Sequence, residues 1–470
     1  MRRTQFSVAL SCWVLSVVAV VGTTCAADPP PRTVTRVFFQ DDAERIVKWA
    51  DLGLQGSTLS LTATGSVEGF PKLDADEQRL VQMEAARGFL LVGVRDEDDG
   101  AFGSGWILID TGVEEEEHGD HSHWTYVRPP RVRALTIDKQ QGNPAHLYCY
   151  DNVFYLANDR KNGYTRLDPA AITAEDEDGA ISRRAVFHPG GGGHITLAAS
   201  KRWGYSTWIG RPNDKEGGGQ GGRVDITPLA AAGSGSSPQI GLSITLPHGG
   251  LHGATFCQGK VFFAPSDGVC WIAEPAALPK TADEIATHHL SLGQHNDKPR
   301  RTGAFQTAGK HVMFVTGSGT DAAFGLLDAS AVEPEVTRVE LGMAEENRPA
   351  GLQIVQPRRG SPLALVFHDH PAEVTAPNVM TLLELDPNED GQWTDVRIVG
   401  TLDVGRSKVD GHNGHHTVDF DADRRRGVLS NPGDGTLSVF GVADRKILQT
   451  FEVGGSPSKV VTVGGRASLH

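Results

Sequence analysis

Residues Glu114 to His123 read EEEEHGDHSH. Four carboxylates run into His118, His121 and His123, with Asp120 among them. Glycine and serine fill the gaps, and no apolar residue in the stretch can feed a core. Neutral imidazoles and carboxylates at short spacing are what a borderline divalent ion such as zinc takes as ligands. A bare charge run is more often a solvated face, but three histidines within six residues make a histidine-rich metal tract the better reading.

A second set of histidines recurs along the chain. His146 precedes Leu147, His194 precedes Ile195, His252 precedes Gly253, and His415 and His416 precede Thr417. Each opens a stretch that runs into an apolar strand pattern. His188, His248 and His412 stand just upstream of such stretches. One histidine of this kind is usually bonded to a loop carbonyl. A recurring set means more, provided the fold brings the starts of different strands together.

The elements that would do so are short strands. An alternating or apolar strand, a turn rich in Asn, Asp or Gly, and a further strand recur at intervals of roughly 40 to 55 residues, the spacing of propeller blades. Gly427–Ser430, the Gly433-Asp434-Gly435 turn and Leu437–Phe440 form a clear instance. Helical periodicity is almost absent, although Asp74 to Ala86 has a weakly helical composition. The expectation is an all-β chain, a single propeller of eight blades, spanning 34–470. Residues 34 to 65 and 446 to 464 read as partial blades that pair to close the ring and remove an exposed sheet edge. The first strand of each blade lines the channel, so strand-opening histidines converge on one mouth, a concave place of the kind ligands favour.

The chain has 470 residues and a net charge of −14. Nucleic acid and anionic membrane are therefore poor partners. Residues 1–27 read as a signal peptide: Arg2 and Arg3, an apolar run from Val8 to Val21, then Cys25-Ala26-Ala27 before Asp28. Residues 28–33 are proline-rich and extended. No later apolar run is long enough to span a bilayer. The expectation is a soluble periplasmic monomer. In an oxidising compartment Cys257 and Cys270, which flank Gly259 to Gly268, are expected to form a disulfide across a hairpin. Cys149 is left as a small buried residue. Asp386 to Gly391 begins like a calcium loop, but Arg397 stands where the closing glutamate belongs, so it reads as a turn. His368-Asp369-His370 follows a strand as a loop feature, either a minor metal site or simply polar.

Two segments resemble the AztD-type periplasmic zinc metallochaperones. One is His118-Gly119-Asp120-His121 followed by Trp124 to Pro130; the other is Leu251 to Thr255 with Cys257, Val261 to Phe263 and Asp267 to Val269. The resemblance implies a β-propeller that binds Zn2+ and hands it to the substrate-binding protein of an ABC importer, with His118, His121, His123 and His252 as ligands. Residues 28 to 117 contain no histidine, unlike the extended histidine-rich N-terminus associated with that family. The sequence reading is zinc carriage without catalysis. The candidate ligands are His118, Asp120, His121, His123, His194, His252, His415 and His416. His121, His123 and a strand-opening histidine such as His252 or His416 would hold the ion together, with Asp120 ligating it or orienting an imidazole. Two other classes stay open: an exported docking scaffold without metal, and a metal-dependent propeller hydrolase.

Overall fold

A computed structural model describes residues 31–98, 102–119, 121–210, 220–229, 237–370, 374–411 and 413–468. The signal segment, Asp120 and His412 lie outside the described residues. Seven four-stranded antiparallel sheets and one five-stranded sheet form an eight-bladed propeller. The inner strands of blades 2 to 8 are, in order, Gln78–Ala86, Pro144–Tyr150, Leu197–Ala199, Ala254–Cys257, Gln306–Ala308, Arg348–Val355 and Val418–Phe420. Each packs against the inner strands on either side, and the cycle returns to its start.

Blade 1 is composite. Its inner strand is Pro457–Val463, and Arg32–Asp41, Ile46–Gln55 and Thr58–Leu61 follow outward. Phe38 pairs with Val461 and Arg36 with Val463. The two ends of the chain thus close the ring, and blade 1 gains the partner that its inner edge would otherwise lack. Only 457–463 does this; Lys446–Glu452 is the outer strand of blade 8. Arg32 and Thr33, expected in the extended leader, are already part of the first ladder.

The core lies between blades. Every strand buries alternate residues on two opposite faces, so each sheet feeds two clusters. In blade 5, Val261, Phe263, Cys270 and Ile272 pack toward blade 4, whereas Cys257, Phe262, Val269 and Trp271 pack toward blade 6. This overturns the expected disulfide. Cys257 pairs with Lys260, Lys260 pairs with Ala273, and Cys270 pairs with Phe263. The two cysteines are thus two strands apart, about 9.6 Å in ladder spacing alone, on opposite faces and offset along the sheet. A bridge needs Cα atoms within ~7 Å. All three described cysteines are free thiols, and burial pushes Cys257 up to about 11 and Cys270 and Cys149 up to about 12.

Asp74 to Ala86 is not helical. It is a turn followed by the inner strand of blade 2. A bulge between Leu80 and Met83 resets the pleat. Buried residues then fall at Leu80, Met83 and Ala86, a spacing of three that imitates a helix period.

His188, in the outer strand Val186–Pro189 of blade 3, gives a pH-dependent expectation. Its ring stacks on Tyr164 at 5.2 Å and its Nδ1 is buried without a partner. Burial, then the charge of Arg166, lowers its pKa to about 4. The unfolded chain takes up this proton near pH 6.5 and the fold refuses it until about pH 4. The fold therefore has this contribution in full above pH 6.5 and loses it as pH falls toward 4. His188→Phe keeps the stack and removes the titration. Denaturant unfolding at pH 7 and pH 5 should show the variant losing ~1–2 kcal/mol less than the parent over that interval.

Candidate metal centre

Four-stranded up-and-down blades place the start of every inner strand at one end of the ring. His146, His194 and His252 stand at three successive starts, those of blades 3, 4 and 5. They come together at the channel mouth. His146 Nε2 lies 2.9 Å from His194 Nε2. The ring centroids are 4.6 Å apart for His146 and His194, 5.0 Å for His194 and His252, and 6.1 Å for His146 and His252.

Two of the three rings are oriented from behind. His194 Nδ1 donates to Asp159 Oδ2 at 3.0 Å, while Asp159 Oδ1 accepts from the Ile195 amide at 2.9 Å. His252 Nδ1 lies 3.4 Å from the Gly303 carbonyl, which can only accept. Both contacts put the proton on Nδ1, and for His194 this leaves the Nε2 lone pair facing His146 Nε2. A carboxylate or carbonyl behind an imidazole is the usual support of a metal ligand. Burial, with the neighbouring His194 adding to it, lowers the pKa of His252 and keeps that ring neutral, the form that ligates.

The glycines at 190–193 deliver His194. Gly190, Gly191 and Gly193 have φ of 133°, 80° and 76°. Gly192 bridges to Trp208, whose ring atoms would stand 2.4 Å from any Cβ added there. Only glycine lets this loop press against its own blade. The run carries no motif in sequence, and its role emerges only with the fold. Further along the same strand face as His146, the Tyr150 hydroxyl donates to the Leu197 carbonyl at 2.9 Å and lies 3.5 Å from that of Ala254. It thereby links the inner strands of blades 3, 4 and 5 beyond the histidines.

His415 and His416 open blade 8 at the same end, but the structure does not bring their rings into this cluster. His415 Nδ1 is 2.6 Å from Asp369 Oδ2, and its Nε2 is 3.4 Å from the Gly411 carbonyl. Burial opposes its charge, but the bond and charge of Asp369 prevail and raise its pKa. His416 points the other way, into the blade core. It is fully buried, stacks on Phe367 at 5.1 Å, and reaches the Ser430 carbonyl at 2.7 Å. Successive residues of an extended segment face opposite sides, so one of the two must leave the channel. Asp410 in the preceding connection pairs with Arg79 at 3.2 Å, and Asp410, Gly411 and Asn413 line a cleft of about 390 Å³ together with His146 and His194. His368 is buried against Thr381 and His370 bonds Asn347.

The acidic stretch is a β-hairpin rather than an irregular loop. Val113–Glu117 pairs with Ser122–Tyr126. Glu116 is opposite His123, and the His118 amide donates to the His121 carbonyl at 2.9 Å. The two-residue alternation therefore sets Glu116, His118, His121 and His123 on one face. His121 Nε2 and His123 Nε2 are 3.1 Å apart. The His118 ring centroid is 4.7 Å from that of His123, with the planes tilted by 56°, and its Nε2 is 3.4 Å from Glu116 Oε1. The base is pinned: the Tyr126 hydroxyl donates to the Gly465 carbonyl at 2.7 Å, and Trp124 bridges to Ala467. The hairpin interrupts the passage from the third strand of blade 2, Ser104–Asp110, to the fourth, Arg131–Asp138. That passage is at the opposite end of the ring from the strand starts. The two histidine clusters are on opposite faces, so the expected sharing of one ion between His121, His123 and His252 or His416 does not hold.

No family model matches the chain, and no curated protein matches it in sequence. Solved structures do. Apo AztD from Citrobacter koseri superposes with a TM-score of 0.60 at 15% identity, covering 93% of this chain and 100% of that one. A second crystal structure of Citrobacter koseri AztD gives 0.59 at 16% identity, with the same coverage. The dihydro-heme d1 dehydrogenase NirN, in complex with DHE, gives 0.53 at 15%, covering 93% of this chain and 78% of that one. At these identities the likeness is one of fold. The chain is an eight-bladed propeller that shares the fold of AztD.

Proposed function

We propose that the protein is a zinc carrier of the periplasm that passes its ion to the substrate-binding protein of an ABC zinc importer. The observation that carries this reading is the channel-mouth cluster. Three imidazoles from three blades meet, and two have their tautomers set by Asp159 and Gly303. Imidazole nitrogens from three blades are the donor type that zinc takes. The hairpin, with Glu114 to Glu117 beside its histidines, serves as a capture point where the carboxylate field concentrates cations. Its exposed tip lets a partner replace ligands one at a time. The same fold likeness to AztD and the two motif segments support the reading. No helix among the described residues is long and apolar enough to cross a membrane.

The test is zinc retention after dialysis and competitive zinc titration of the mature protein, beside a variant with His118, His121 and His123 changed to Ala. The parent should keep at least one tight equivalent. The variant should keep that ion, bind one fewer in total, and load an apo substrate-binding protein more slowly. A parent that holds no zinc after dialysis would end the carrier reading.

A further inference from the structure

His248, Asp267 and His289 form a cluster that neither described site uses. His248 lies in the connection into blade 5, Asp267 opens its third strand, Gly268–Ala273, and His289 is in its fourth, Thr287–Ser291. His248 Nδ1 is 2.6 Å from Asp267 Oδ2, and His289 Nε2 is 3.5 Å from Asp267 Oδ1. The imidazoles stack face to face at 3.9 Å. One donor atom from each residue lies within 4.8 Å of the others.

Two features set this apart from an ordinary surface ion pair. His289 Nε2 and Asp267 Oδ1 are both shielded from solvent, and neither has a hydrogen-bond partner. Buried polar atoms are seldom left so. In addition, position 268 is kept bare: a Cβ there would stand 2.7 Å from His289 Nε2. The glycine lets the ring settle against the backbone with its nitrogen turned to the carboxylate.

We propose that these three side chains form a rim metal site for a borderline divalent cation, with two imidazole nitrogens and one carboxylate oxygen as ligands. Bonds of ~2.0–2.1 Å to zinc put neighbouring donors ~3–4 Å apart, so closure needs only a small inward shift. Binding displaces the proton that His248 Nδ1 shares with Asp267, and supplies the partner that His289 Nε2 lacks. Three protein ligands leave coordination positions open, so the site exchanges its ion readily. His248 and His252 lie on the same connection, 246–253, so the rim site adjoins the channel mouth. Its use as the station where an ion enters or leaves the channel cluster rests on the carrier reading; the site itself does not.

The test is Co2+ titration followed by d–d absorption, in a chain with His118, His121, His123, His146, His194 and His252 all changed to Ala. One equivalent should still bind, and D267N with His289→Phe, which preserves the stack, should weaken it at least tenfold. The same two changes in the parent chain, which touch no other cluster, should lower zinc stoichiometry by one and leave the tightest ion in place. An unchanged parent stoichiometry overturns the rim site whatever the fate of the tight site. A six-alanine chain that binds no Co2+ while still folded overturns it as well. Loss of the tightest ion from the parent chain alone would count against the carrier reading instead.

Discussion

Changing His194 to alanine is expected to weaken tight zinc binding by at least about 100-fold, read by competition with a chromophoric chelator. His194 is the middle ring of the channel cluster, within 5.0 Å of both neighbours by centroid, and its loss removes a donor outright. Asp159→Asn keeps a hydrogen-bond acceptor behind the ring but removes its charge. Changes of that supporting kind cost ~10–100-fold, so the Asn variant should fall between parent and Ala. His416→Ala is the informative control, since that ring is buried against Phe367 and away from the cluster. It should cost stability and leave affinity near the parent value. Acid should release the ion, because each ligating ring must be neutral. Burial favours the neutral form of His252, so that ring resists protonation as pH falls.

Removal of residues 457–470 is expected to abolish cooperative folding. Val460, Val461 and Val463 are buried in that strand. At ~1.5–3 kcal/mol for each buried aliphatic side chain, their loss alone costs roughly 5–9 kcal/mol, comparable with the whole net stability of many proteins, ~5–15 kcal/mol. The deletion also leaves the Arg32–Asp41 strand unpaired on its channel side, because Pro457–Val463 is its partner there. Near-ultraviolet circular dichroism and thermal unfolding check this: the truncated chain should show no sharp transition. A sharp transition near the parent midpoint would mean that the eighth closure is dispensable.

Much of the fold was legible because blades repeat. Paired apolar strands with Asn, Asp and Gly turns announce a propeller, and partial units at the two ends announce how it closes. The convergence of His146, His194 and His252 followed from the same logic, since inner-strand starts share one axis. What local sequence hid is long-range. Asp159 supports His194 from 35 residues away and Gly303 supports His252 from 51, and no spacing rule links them. His415 and His416 were read alike, yet neighbours on an extended chain must diverge, and Asp369 and Phe367 took one each. The cysteine pair misled because a single strand-turn-strand was assumed where the chain makes three strands. Asp74 to Ala86 misled because a bulge gives a strand the apolar spacing of a helix.

The linkage made by Tyr150 has a consequence for traffic. Its hydroxyl ties blade 3 to the inner strands of blades 4 and 5 just past the channel histidines, so the three strands that carry the cluster are held to one another. On the proposed carrier reading, a receiving protein would sit on the face where the inner strands begin, while a protein bound over the hairpin would meet a separate cluster at the far side. The molecule would then have a front and a back, and blocking one face would leave the other in service.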